Sequence, residues 1–307
     1  SIVAMGEESG FYYNWNSQGK GPKITTYGNP NATWEEAKKL DVGLELGLFN
    51  ALNIEAAYFT EDRTGIFMRR TSLPSSTGLL GVTPYGNIGR VKSHGVDLSA
   101  VYNKQFGKDC SLSLRGTFTF SRNEVVEKDE GDLMYDYMSV VGHPVNAITG
   151  VLVADGLFTS QEEIDNSPKQ QFGNYTVGDI KYRDLNGDGI VDGNDVTTAG
   201  SPTVPEIQYG IGATVKWRRL DFSFMFQGAS NVSLRMYNMH PFCDASHFGY
   251  GITQYIADNH WSEDNNRADA AYPRLTSQLS SNNTQSSTFY IHDAKYLRLK
   301  TVELGYT

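Results

Sequence analysis

The chain has 307 residues, of which 35 are acidic and 26 are basic, so its formal charge at neutral pH is -9. This balance argues against a nucleic-acid partner, because contacts with phosphate groups need a basic surface. No run of apolar residues approaches the roughly 18 that a membrane-spanning helix needs, and two cysteines cannot supply a disulfide scaffold or a four-thiolate zinc site.

Apolar and polar residues alternate with a period of two in seven segments, which predicts seven long β-strands. In chain order these segments are residues 40–48, 52–58, 96–102, 110–120, 207–217, 220–226 and 296–306. The apolar positions of the last segment change phase between Leu299 and Val302, which predicts a β-bulge near Lys300. The opposite face of the strands carries charged residues such as Glu45 and Arg115.

The connections between these segments alternate between two lengths. Turns near residues 50, 107 and 218 are short, whereas loops at about 66–90, 125–205 and 232–287 are long. Short periplasmic turns, long extracellular loops and abundant aromatic residues are typical of outer-membrane β-barrels. The sequence therefore predicts an all-β protein, a partial antiparallel transmembrane β-barrel. Seven strands would be part of a larger barrel, because a membrane barrel leaves no open edge.

Local structure is also predicted within the long loops. Ser160 and Glu163 have the spacing of a capping box, which predicts a short helix beginning there. Residues 251–261 predict a second helix. Residues 276–288 are polar and of low complexity, which predicts a mobile segment.

The loop at residues 184–195 has the spacing of an EF-hand calcium loop. Its oxygen donors are Asp184, Asn186, Asp188, the carbonyl of Ile190, Asp192 and Asp195. Gly189 stands where such a loop turns sharply, and Asp195 replaces the usual final glutamate, which makes bidentate contact harder. The alternative is a solvated loop closed by Asx turns. Because no strong amphipathic helices flank the loop, we predict a structural Ca²⁺ clip and not a sensor.

Other chemistry-bearing motifs are weak. Residues 240–247 contain His240, Cys243, Asp244 and His247, but without the spacing of a zinc site, so a set of neighbouring loop residues is favoured. The chain has no Gly-x-Ser-x-Gly elbow and no Gly-x-Gly-x-x-Gly phosphate loop. We therefore predict that the protein is not an enzyme, and a glycoside hydrolase is the least favoured interpretation.

A soluble β-sandwich would show the same alternation, because one face of each sheet forms its core. It predicts shorter strands and no systematic difference in loop length. The alternative interpretation is therefore a soluble secreted glycan-binding β-protein with a dockerin-like calcium loop.

Six motifs in a fixed order carry a resemblance to a known family. They are residues 28–44, with Asn-Pro followed by Trp-Glu, 73–78, 87–98, 178–189, with Gly-Asp-Ile-Lys-Tyr-Arg-Asp-Leu-Asn-Gly-Asp-Gly, 271–275 and 296–306. Each motif alone is weak, and Ser93 and Asp97 depart mildly from the family pattern. The ordered set resembles the SusC/RagA-like TonB-linked outer-membrane transporters of Bacteroidetes.

The resemblance implies a barrel of about 22 strands with an N-terminal plug domain, in the bacterial outer membrane. Residues 1–307 are then interpreted as a fragment of the barrel domain, without the plug and the remaining strands. Such a protein would import oligosaccharides or peptides with a SusD-like surface lipoprotein. It would draw energy from TonB through the missing N-terminal region, and it would contact membrane lipid. The identity of the substrate stays open.

Overall fold

The computed structural model describes residues 4–13, 17–73, 75–77, 84–236, 252–276 and 279–307. In chain order, its strands are β1 (Ala4–Tyr13), β2 (Ser17–Thr26), β3 (Glu36–Leu48), β4 (Leu52–Arg69), β5 (Tyr85–Phe106), β6 (Cys110–Glu127), β7 (Ile148–Leu152), β8 (Ala154–Leu157), β9 (Lys169–Gln170), β10 (Ile180–Tyr182), β11 (Ile190–Val191), β12 (Val196–Ala199), β13 (Ile207–Trp217), β14 (Leu220–Ser230), β15 (Ser233–Arg235), β16 (Ile291–Asp293) and β17 (Tyr296–Tyr306). Two short helices are α1 (Gln161–Asp165) and α2 (Gln254–Asn259). In the described ranges, no helix is long and apolar enough to cross a membrane.

Seven long strands form one antiparallel sheet, in the spatial order β3, β4, β5, β6, β13, β14 and β17. These are the strands that the alternation predicts, and their short turns all lie at one end of the sheet. The bulge in β17 is confirmed as well. Leu299 pairs with Phe226 and Thr301 pairs with Met225, which leaves Lys300 as the extra residue.

Five strands of this sheet are longer than the alternation predicts, β3 and β14 by four residues each and β4, β5 and β6 by more. β4, β5 and β6 have 18, 22 and 18 residues. Beyond Tyr58, β4 carries polar residues on both faces, such as Glu61 and Asp62, so the alternation of polarity ends although the strand continues. The antiparallel hairpin of β1 and β2 was not predicted either, because residues 4–13 do not alternate regularly.

The two faces of the sheet differ in chemistry across all seven strands. On the apolar face, one row of paired residues contains Leu44, Ala56, Leu98, Phe118, Tyr209, Gly228 and Leu297. On the polar face, the adjacent row contains Glu45, Glu55, Ser99, Thr117, Gly210, Gln227 and Arg298. The pairing therefore joins the separate alternating segments into one continuous apolar surface and one continuous polar surface.

The apolar face is not the core of a sandwich. Leu40 is 56% exposed, Ile211 60% and Leu304 76%, whereas a second sheet packed on this face would bury them. The soluble sandwich is therefore the wrong interpretation. An apolar surface of this extent, built from strands that alternate with polar residues, is the lipid-facing wall of a membrane barrel.

The buried core lies in the long connections. We define the loop module as residues 128–206 of the connection between β6 and β13, together with residues 252–295 of the connection between β14 and β17. Its core contains Leu152, Leu157, Ile180, Tyr182, Val191, Trp261, Ala270 and Tyr290. The pairs β7–β12, β8–β10 and β9–β11 hold the first connection together. The two connections thus share one core.

The structure confirms the helices of the loop module, and for residues 279–288 it corrects the prediction of a mobile segment. The Ser160 side chain accepts the N–H of Glu163 at 3.1 Å, as the capping box requires. α2 is shorter than predicted. Within residues 276–288, Asn282 and Asn283 are fully buried. The segment is polar because its amides bind buried backbone groups, and composition alone does not distinguish this from a solvated loop.

Candidate functional site

The polar face forms a groove across the centre of the sheet. Its lining includes Glu45, Glu55, Ala57, Asp97, Ser99, Thr117 and Thr119. The hydroxyl of Ser99 donates to a carboxylate oxygen of Glu55 at 3.3 Å. Glu45 is paired directly with Glu55, so two carboxylates stand side by side where like charges are unfavourable unless water surrounds them. This surface suits a water-filled lumen.

The groove continues toward β17. There its lining includes Ser113, Arg115, Thr117, Gly210, Gly212, Thr214, Ser223 and Glu303. The hydroxyl of Ser223 donates to Glu303 at 3.3 Å. Hydroxyls, carboxylates and a guanidinium thus line the surface, and the two glycines add no side-chain bulk. These groups can make hydrogen bonds with a polar solute that passes along the groove.

At one end of the groove, the loop module is attached to the sheet. The backbone N–H of Val125 donates to His143 at 2.9 Å, and that of Gly142 donates back to Val125 at 2.8 Å. Arg122 binds the buried carboxylate of Glu206 at two points, 2.8 and 2.7 Å. These contacts connect the end of β6 to both ends of the connection that leads into β13.

A network of buried polar side chains holds the two connections of the loop module together. Asp179 is fully buried, and Arg274 binds both its oxygens, at 2.7 and 3.2 Å. Asn283 donates to Asp179 at 2.7 Å and accepts the N–H of Ile180 at 2.9 Å. Sequence analysis missed this network. The available signal was that Asp179 and Arg274 belong to two of the motifs that carry the family resemblance.

A second part of the same network surrounds Gln170. Its amide donates to the carbonyl of Ile180 at 3.0 Å and to Asn282 at 2.7 Å, and it accepts the N–H of Tyr182 at 2.6 Å. The Tyr182 hydroxyl donates to the carbonyl of Asn282 at 2.7 Å. Every polar atom named here has a partner, which is what allows so polar a core to be stable.

The six residues of the predicted calcium loop lie together in one turn of the loop module. Asp184 accepts the N–H groups of Gly187 and Gly189 at 2.6 and 2.8 Å, and Gly189 has the positive φ of +86° that the sharp turn needs. Asp195 is fully buried and accepts the N–H of Leu185 at 2.8 Å. Both end carboxylates therefore point into the loop.

The remaining donors close the turn through local hydrogen bonds. Asn186 donates to Asp188 at 2.9 Å, Asp188 accepts the N–H of Ile190 at 2.8 Å, and Asp195 accepts the N–H of Asp192 at 2.8 Å. No group of three or more His, Cys, Asp or Glu side chains in the described part of the chain lies close enough together to hold a metal ion. In this structure the oxygen-bearing side chains of the loop therefore close a series of Asx turns, and they do not converge on one point.

Two tyrosines pack against this loop. The rings of Tyr135 and Tyr137 stack with centroids 5.2 Å apart. The Tyr137 hydroxyl donates to the carbonyl of Asn194 at 2.7 Å, and the Tyr135 hydroxyl accepts from Asn186 at 3.3 Å. Burial, followed by the nearby Asp195 carboxylate, raises the pKa of Tyr137 to about 12. Tyr135 thus contacts the predicted calcium ligand Asn186, and Tyr137 contacts the backbone between the predicted ligands Asp192 and Asp195.

Residues 240–247, for which the sequence favours neighbouring loop residues over a zinc site, lie outside the described residues. That the protein is not an enzyme stays a prediction from the sequence.

Comparison with known proteins identifies relatives of both sequence and fold. The family described as TonB dependent receptor-like, beta-barrel, matches residues 7–239. TonB-dependent receptor P26 of Formosa agariphila is 31% identical over 296 residues, which cover 91% of this chain and 28% of the receptor. TonB-dependent receptor SusC of Bacteroides thetaiotaomicron is 23% identical over 292 residues, covering 91% of this chain and 26% of SusC.

The same fold occurs in a solved structure. The RagAB peptide importer in its open-open state matches 99% of this chain and 31% of its own chain, with a TM-score of 0.68 and 20% identity. At that identity the match shows a shared fold. The chain spans about three tenths of the length of the proteins it matches.

Proposed function

Because this chain belongs to the TonB-dependent receptor β-barrel family of the bacterial outer membrane, we propose that it forms part of the wall and extracellular loops of a nutrient importer. The observation that carries this proposal is the sheet with one apolar and one polar face, continuous over seven strands. The apolar face lies against lipid, and the polar face lines the path of the solute.

The remaining parts of the importer are proposed from the family. Since the chain spans 28% of receptor P26, residues 1–307 are a fragment of a barrel domain in a longer protein with a plug. TonB acts through a segment outside this fragment, and a SusD-like surface lipoprotein meets the extracellular loops. The cargo is an oligosaccharide or a peptide, because carboxylates, hydroxyls and amides on the polar face can bond to either.

The transport proposal is tested in the intact protein, in a strain that lacks its own copy. Thr117 lines the polar groove and Phe118, the next residue, faces lipid. We expect Thr117→Trp to lower uptake several-fold at unchanged surface level, because it narrows the groove, and Phe118→Trp to leave uptake unchanged. Labelled peptides and a labelled polysaccharide hydrolysate are supplied separately, which assigns the cargo class. Equal uptake by both variants would contradict the proposal.

We further propose that the loop at residues 184–195 binds Ca²⁺ as a structural clip. Asp184, Asn186, Asp188, the Ile190 carbonyl, Asp192 and Asp195 would hold the ion. The oxygen spacing and the positive φ of Gly189 support this, and the ion would supply the charge that four carboxylates in one turn need. The carboxylates must exchange some hydrogen bonds with backbone N–H groups for metal contacts.

Metal analysis and terbium luminescence of the purified intact protein test the clip. Asp184→Ala and Asp188→Ala should abolish bound calcium at millimolar supply, whereas Asp165→Ala, in α1, should not. Terbium in the loop should be sensitised by Tyr137, because the Tyr137 hydroxyl touches the loop backbone at Asn194. Tyr137→Phe should weaken this emission while calcium stays bound, because the sensitising phenol is lost and the ligands are kept. Asp184→Ala should lose both the emission and the bound calcium. Unmodified protein without calcium at millimolar supply would end the proposal.

A further inference from the structure

A row of charged residues borders the apolar face on the side of the long loops. Lys38 pairs with Asp62, and Asp62 pairs with Lys92, across β3, β4 and β5. Each lies an even number of residues beyond the apolar positions of its strand, so the row lies on the outward face. The three short turns lie at the opposite end of the sheet, which places this row at the extracellular border of the lipid-facing surface.

The acidic member of the row is already neutralised. Arg90 binds both carboxylate oxygens of Asp62, at 2.6 and 2.9 Å, and lies 3.5 Å from Glu127. The two lysines are exposed. Within the described ranges, neither Lys38 nor Lys92 has a carboxylate within ion-pair distance, although Glu124 faces Lys92 across the strands. The row therefore presents two free ammonium groups on either side of a fixed guanidinium–carboxylate pair.

The place of these cations indicates the chemistry of their ligand. Directly below them the outward face is apolar, with Leu40 and Val42 on β3 and Val96 and Leu98 on β5. A molecule that covers both surfaces has acyl chains and an anionic head group. Lysine side chains can lie along an apolar surface while the ammonium group reaches that head group. Free phosphate would explain the cations and leave the apolar continuation unused.

We propose that Lys38 and Lys92 bind the phosphate groups of a glycolipid of the outer leaflet, whose acyl chains lie along the apolar face. The bidentate pair of Arg90 with Asp62 joins β5 to β4, the strand that lies between the strands of the two lysines. The site is formed by the outward surface of the wall, so it does not depend on the cargo or on the proposed calcium loop.

The test uses the full-length protein purified in a neutral detergent, with lipopolysaccharide from the same membrane as the probe. Lys38→Gln with Lys92→Gln is compared with Lys104→Gln, which removes a charge from the same face of β5 near the short turns. We expect retention of lipopolysaccharide to fall roughly fivefold per lysine in the first variant, because each basic residue near an anionic membrane surface contributes about this factor. Lys104→Gln should retain as much as the unmodified protein.

Two further arms identify the source of the phosphate. Lipopolysaccharide treated with phosphatase should bind the unmodified protein as weakly as untreated lipopolysaccharide binds the double variant. Inorganic phosphate at millimolar concentration should not displace the glycolipid, because it cannot use the apolar face. Equal retention by all variants, no effect of phosphatase treatment, or complete displacement by inorganic phosphate would each overturn the proposal.

Discussion

Arg274 binds both oxygens of the Asp179 carboxylate, at 2.7 and 3.2 Å, although 95 residues separate the two in the chain. Asp179 is the second residue of the Gly-Asp-Ile-Lys-Tyr motif in one long connection, and Arg274 belongs to the Ala-Tyr-Pro-Arg-Leu motif in the other. Because Asp179 is fully buried, this pair and the amide of Asn283 fix one connection onto the other. The described parts of these two long connections therefore form one folded unit.

Removing Arg274 should loosen the whole loop module. Arg274→Gln leaves the Asp179 carboxylate buried without its cation, which costs about 3 kcal/mol, the lower part of the usual range, because Arg274 itself is partly exposed. Hydrogen exchange of the intact protein should show faster exchange in both connections at once. Arg267→Gln, which breaks the exposed pair with Asp269, should change little. Faster exchange in the connection of Arg274 alone would contradict a shared unit.

The sheet was predictable from the sequence, and the loop module was not, for one physical reason. In a strand between lipid and water, apolar and polar side chains must alternate. The alternation in residues 40–48 therefore predicts both the strand and which of its side chains face lipid. β5 has 22 residues, but only its part in the membrane alternates in this way. Beyond it both faces are wet, and the pattern ends although the hydrogen bonds continue.

In the loop module, buried polar residues join the two connections beside the apolar core. Asn282 and Asn283 come from a segment whose composition predicts a mobile loop, and both are fully buried. Their partners are backbone groups and side chains about 100 positions away, such as the carbonyl of Ile180. No local pattern records such a pairing. The capping box at Ser160 was predictable because its partners lie three residues apart.

Gly178 allows Trp261 to pack against the backbone of the first motif. Its φ is +87°, and a Cβ atom there would lie 2.3 Å from the Trp261 ring. Gly178→Ala should therefore destabilise the loop module by about 2 kcal/mol more than a change that introduces only backbone strain. Gly142→Ala is the matched control, with φ of +86° and no atom within 4 Å of the added Cβ. Thermal unfolding followed by Trp261 fluorescence in otherwise tryptophan-free intact protein compares them. Equal effects would show that the ring can move aside.

The contacts of Glu163 should make the start of α1 sensitive to acid. Burial acts to raise the pKa of its carboxyl, but the N–H of Thr159 and the Lys181 ammonium, each at 2.9 Å, hold that pKa below its usual range. A lowered pKa in the folded state stabilises above the ordinary pKa, and this stabilisation is lost as the pH falls below about 4. Hydrogen exchange in α1 should accelerate in that window. Glu163→Gln should remove most of the change, and the exposed Glu162→Gln should retain it.

Adjacent residues of β5 test which face of the sheet meets lipid. Ala100 pairs with Ile54 and Gly116 on the apolar face, whereas Ser99 lies on the polar face and donates to Glu55. Arginine at the lipid-facing position near the bilayer midplane costs roughly 2–4 kcal/mol. Ala100→Arg in the intact protein should therefore reduce the amount of folded barrel in the outer membrane, measured by its heat-modifiable mobility.

Ser99→Arg should assemble normally, because its guanidinium projects into water and lies beside the carboxylate of Glu55. Ile211→Arg extends the comparison to β13, where the same outward row continues. If Ser99→Arg and Ala100→Arg assembled equally well, the apolar face could not be the surface in lipid. The polar groove would then lose its role as the solute path, and the lysines at 38 and 92 would lose their place beside the head groups.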